Sequence, residues 1–176
     1  MTTGKKSKFK NIVLHWTGGG SYPNDIDKQS YHYLVDSDGN IHEGKYKPED
    51  NLDCTDGKYC PHCGGGNTGR IGVALCGMHG YNNSMKFTKY PITQKQFEAM
   101  CNLVANLCIK YKLKPNQVIT HSEFGKQFPN TSSKGKIDID YLPYLSLFGT
   151  DLVANYIRNK VNWYMEKAKV RNTLSD

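Results

Sequence analysis

The chain has 176 residues, enough for one compact domain with one hydrophobic core. Hydrophobic residues make up 38%, and no apolar run approaches the roughly 20 residues that would span a bilayer, so no transmembrane segment is expected. A formal net charge of +7 favours anionic partners, but the lysines are spread along the chain without a basic block or a nucleic-acid motif, so no nucleic-acid partner is expected.

Residues 1–10 form a basic leader with no apolar run behind it. The reading is therefore synthesis in the cytoplasm without a signal peptide. Asn11–His15 is a short β-branched run that reads as a buried central strand ending in His15, just before a glycine loop. Gly18–Ser30 reads as a loop with one helical turn. Tyr31–Val35 and Asn40–Gly44 flank DSDG and predict a β-hairpin, with Tyr31, Tyr33 and Val35 on one face and His32 and Leu34 on the other. Lys45–Gly69 is rich in glycine and turn formers and predicts a long functional loop. Arg70–Met78 predicts another buried strand, followed by a polar loop over His79–Tyr90.

Thr93 and Gln96 fit a capping box that opens a helix, with Phe97, Met100, Cys101, Val104, Cys108 and Tyr111 as its core face. Val118–Thr120 predicts a short strand leading into His121 and a polar loop that carries Lys136 and Asp138. Thr150 is expected to cap a last helix, with Arg158, Lys160, Lys167 and Lys169 on a solvated face; residues 150–176 form this helix and its tail. No repeat and no second domain is evident. The fold class is α/β: a single domain with a central mixed sheet flanked by helices, and a monomer is expected.

Three constellations carry chemistry. Cys54, Cys60 and Cys63 beside His62 resemble half of a structural zinc site, but a second cysteine or histidine pair is missing. The tetrad Cys60-Pro61-His62-Cys63 has the form of a thiol–disulfide oxidoreductase motif. That chemistry needs a helix N-terminus at the first cysteine, and the GGGNTG that follows supplies none. The third set is His15, His121 and Asp138. Two imidazoles and one carboxylate suit a catalytic Zn2+ that keeps an open position for water. On residue types alone, these sets remain alternatives.

The order of several pieces narrows the choice. IVLHWT, YHYLVDSDGNIHEG, HCGGGNTGRIGVALCG, THSEFG and GKID resemble, in sequence order, segments of the zinc-dependent N-acetylmuramoyl-L-alanine amidases, a family that includes phage amidase-type lysozymes and peptidoglycan-recognition proteins. The resemblance spans roughly residues 11–143. It implies an amidase-like fold, with Zn2+ held by His15, His121 and Asp138. It also implies catalytic roles for Tyr31 and Lys136, and substrate contacts from Trp16, His62 and Asn67. The implied reaction is hydrolysis of the amide between N-acetylmuramic acid and L-alanine in peptidoglycan, as in a phage-type endolysin acting on the bacterial wall. Where some relatives place a glutamate on the central strand, this chain has Ala74. A non-catalytic peptidoglycan-binding module of the same fold is the alternative, and Asp140 is a competitor for the place of Asp138.

Overall fold

The computed structural model describes residues 4–175; the first three residues of the leader and the last residue of the tail lie outside the described residues. Five strands form one sheet: β1 (Asn11–Trp16), β2 (Tyr33–Val35), β3 (Ile41–Glu43), β4 (Arg70–Leu75) and β5 (Val118–Thr120), in the order β3-β2-β4-β1-β5. β2 and β3 pair antiparallel, and every other pairing is parallel. The apolar runs of β1 and β4 are buried on both faces, as parallel strands require.

Alternation along β1 sorts its side chains to two faces. Ile12, Leu14 and Trp16 join the main core, which is covered by α2 (Gln94–Tyr111) and α4 (Thr150–Leu174). Val13 packs with Cys63 and Phe124 on the opposite face, and His15 points to that same side. That face is covered by the long loop over 45–69 and by α3 (His121–Gln127). A buried Asn51 holds the loop. It accepts from the Cys60 backbone and from His32 Nε2, and its amide donates to the carbonyls of Cys60 and Asn67.

Several expectations change in detail. The segment after His121 is a helix, because Thr120 and Glu123 form a reciprocal capping box at its start. Tyr31 does not share a face with Tyr33 and Val35. It ends α1 (Asp25–Ser30) and packs against Leu34, Ala74 and Cys76 instead. The cap of α4 is Gly149, one residue before Thr150, whose hydroxyl accepts from Lys126. Arg158 is half-buried rather than free in solvent: it clamps the Glu123 carboxylate and donates to the Val118 carbonyl. A small hairpin of β6 (Tyr141–Leu142) and β7 (Leu147–Phe148) lies between the cleft loop and α4, and nothing in the sequence pattern had marked it. The end of the leader is anchored: Phe9 is buried with its ring 4.8 Å from that of Tyr111, and the Lys10 backbone donates to the Gly69 carbonyl.

Candidate metal centre and cleft

β1 and β5 lie side by side with Leu14 opposite Thr120, so the next residues, His15 and His121, emerge together at one end of the sheet. His121 is the first residue of α3, aimed by the capping box behind it. Asp138 comes from the loop between α3 and β6. The following residue, Ile139, has φ of +69°, a left-handed conformation that strains a β-branched side chain. That turn lets Ile139 enter the core while Asp138 faces the histidines.

The three donor atoms form a near-equilateral triangle. His15 Nδ1 lies 3.1 Å from His121 Nδ1 and 3.4 Å from an Asp138 oxygen, and His121 Nδ1 lies 3.3 Å from that same oxygen. Donors about 2.0–2.1 Å from a tetrahedral zinc stand about 3.3 Å from one another, so the triangle fits the ion. The outer nitrogens support the fit. His62 Nε2 donates to the Arg70 carbonyl at 3.1 Å, which leaves His62 Nδ1 to accept from His15 Nε2 at 3.0 Å. Ser133 gives its hydroxyl proton to the Gly64 carbonyl at 2.7 Å and therefore accepts from His121 Nε2 at 2.9 Å. Each ligand ring thus carries its proton on the outer nitrogen and turns a bare Nδ1 inward.

Electrostatics agree with this assignment. Burial pushes His15 down to about 4 and His62 well below its usual range. The centre opens into a cleft of about 460 Å³ that is lined by Trp16, Tyr31, His62, Lys136 and Asp138, among others. Trp16 packs edge-on against Tyr81, and the Tyr31 ring lies 5.1 Å from that of His15. Lys136 is exposed at the rim.

Not every residue singled out in the sequence reaches this cleft. Asn67 faces another depression, beside Cys54 and Tyr59, and its side chain accepts from the Cys63 backbone. It shapes the loop that carries His62. Asp140 is not one of the clustered donors; it is buried, with one oxygen lacking a hydrogen-bond partner. All six cysteines are free. Burial raises Cys60 and Cys63 to about 11, the opposite of an activated redox thiol. Two supporting residues escaped the sequence reading. Ser133 is one polar residue among many in its loop. Gly72 leaves room for His62, because a Cβ there would meet the imidazole Cγ at 2.5 Å.

The model of the N-acetylmuramoyl-L-alanine amidase family matches residues 5–136, so Asp138 lies just past its end. Among solved structures, the amidase LysC from Clostridium intestinale URNW is 17% identical, with a TM-score of 0.54, and the match covers 88% of this chain and 87% of that one. The endolysin amidase LysCS from the same organism is 16% identical, with a TM-score of 0.54 over 89% and 87%. A point mutant of PlyL is 21% identical, with a TM-score of 0.52 over 89% and 87%. At these identities the likeness is one of fold. No curated protein sequence matches significantly.

Proposed function

Because this chain belongs to the N-acetylmuramoyl-L-alanine amidase family, we propose that it is a zinc-dependent amidase that cleaves the bond between the lactyl group of N-acetylmuramic acid and L-alanine in peptidoglycan, in the manner of a phage-type endolysin. The observation that carries this reading is the triangle of His15 Nδ1, His121 Nδ1 and the Asp138 oxygen. A complete donor set also disfavours a module that only binds the wall. When bound there, a zinc ion would supply a Lewis acid and an acidified water.

The chain's own residues then have separate roles. Trp16 and the Gly18 side of the cleft form a floor for the glycopeptide. Lys136, on the rim, meets the negative charge that develops on the carbonyl oxygen as the tetrahedral intermediate forms. Asp138 is the one carboxylate among the cleft-lining residues, and it faces the histidines, so proton transfer falls to Tyr31. Burial raises its phenol further above the usual value, which keeps it protonated at neutral pH. Its hydroxyl can accept a proton from the attacking water while donating its own to the leaving amine, with no net ionisation. His62 supports His15 from behind and closes one wall. Domain organisation follows the same reading: one amidase domain, with residues 4–10 laid against its far end.

Digestion of purified peptidoglycan, with mass spectrometry of the fragments, tests the reaction. Peptides with a free L-alanine N-terminus are expected. Cut glycan strands that keep their stem peptides would sink the proposal.

A further inference from the structure

Six lysines from two distant segments of the chain meet at one face, away from the cleft. Lys5, Lys6 and Lys8 of the leader share two adjoining depressions with Lys110 in the last turn of α2 and with Lys112 and Lys114 just after it. The depressions measure about 300 and 630 Å³ and have Lys5, Lys6, Phe9 and Lys112 in common. Glu49 is the single acidic residue lining either one. Among the described residues, none of the six lysines is in an ion pair. The anchoring of Phe9 on Tyr111 fixes the two lysine runs side by side. Like charges held within a Debye length of about 8 Å repel one another, and that cost is relieved by a polyanion.

We infer that this basic face docks a flexible phosphodiester polymer of the cell wall, a chain of polyol phosphates, while the cleft works on peptidoglycan. Three observations select that partner. The face is grooved rather than flat, and its aromatic ring, Phe9, is turned inward, so it presents no apolar wedge to a lipid bilayer. Tyr111 is engaged with Phe9 and with the Glu49 carboxylate, so no free ring is offered for stacking nucleic-acid bases. The groove lies at the start of β1 and the His15 metal ligand near its end, about 13 Å along the strand, so both sites can be occupied at once. The choice of a wall polymer rests on the proposed wall amidase. Polymer binding itself is measured without any hydrolysis, so either idea can fail alone.

The test is calorimetric binding of the full chain to purified poly(glycerol phosphate) over a salt series. The binding constant should fall steeply with salt, by a log–log slope of about −0.7 for each phosphate contacted. Replacing Lys5, Lys6, Lys8, Lys110, Lys112 and Lys114 by glutamine should weaken binding at least tenfold and flatten that slope. Hydrolysis of polymer-free peptidoglycan should be unchanged. A control that replaces Lys28, Lys58, Lys89, Lys95, Lys167 and Lys169 has the same net charge and should bind as the parent does. Equal losses in both variants would reduce the effect to net charge and overturn the inference. Equal or tighter binding to phosphatidylglycerol vesicles or to single-stranded DNA at the same salt would overturn the assigned partner.

Discussion

His15 Nδ1 and His121 Nδ1 approach to 3.1 Å, a hydrogen-bonding distance, yet neither has a hydrogen to offer the other. Their protons are committed outward, to His62 and Ser133. The Asp138 oxygen that completes the triangle is an acceptor as well. Three lone pairs converging in a buried place repel unless a cation lies between them. Two imidazoles and one carboxylate around a divalent ion leave a net charge of about +1, which suits the binding of a carbonyl oxygen or hydroxide.

The first prediction concerns that cation. One zinc per chain is expected by mass spectrometry under native conditions. Zinc at 100 times its dissociation constant should stabilise the fold by about 2.7 kcal/mol and raise Tm by several degrees. A chelated sample whose melting curve ignores added zinc would count against the centre.

The role of His62 gives a second. Its Nδ1 holds the proton of His15 on the outer nitrogen, so removing that acceptor frees His15 to protonate the metal-facing Nδ1. His62→Leu should weaken zinc binding about 10–100-fold. His62→Asn, which places an acceptor oxygen close to the lost nitrogen, should recover part of it. Competition with a chromophoric chelator measures both. If the two variants bind zinc as the parent does, His62 has no hold on the ligand.

Acid should unfold the metal-free protein early. Burial lowers both His15 and His32 to about 4 in the folded state, against about 6.5 when unfolded. Between those values the unfolded chain binds more protons, so stability is full above pH 6.5 and falls as pH drops towards 4. At pH 5 each of the two should cost about 2 kcal/mol relative to pH 7.5. Urea titrations of the apo protein at the two pH values should show the difference; equal midpoints would remove the buried histidines from the account.

Much of this was legible in the residues, and the boundary is physical. The β-branched runs, the Thr93 capping box and the order of His15, His121, Lys136 and Asp138 are local or sequential features, and the fold follows them. The Thr120–Glu123 box was as readable as the Thr93 box, but the surrounding glycine and polar residues obscured a helix of only seven residues. The face taken by Tyr31 was not readable, because β2 begins two residues later than the alternation suggested. The hydrogen-bond chain from His15 through His62 to the Arg70 carbonyl joins residues 47 and then eight positions apart at about 3 Å, which no spacing rule conveys. The basic face is similar: two lysine runs about a hundred residues apart look dispersed until Phe9 meets Tyr111.

Lys136 supplies the last prediction. It sits one residue before Ile137 and two before Asp138, and both Lys136 and Asp138 line the cleft. Its ammonium is exposed at the rim and is in no ion pair among the described residues, so it is free to meet an oxyanion. It is not one of the three metal donors. Lys136→Ala should therefore keep full zinc content and an unchanged melting curve. Turnover on peptidoglycan should fall about 10²–10³-fold, the usual cost of losing one oxyanion partner. Lys136→Arg keeps the charge and should retain an intermediate rate. The loss should appear in kcat more than in KM, because the charge it meets exists only after attack begins. Full turnover by the alanine variant would take Lys136 out of the chemistry, and loss of zinc would move its role to the metal centre.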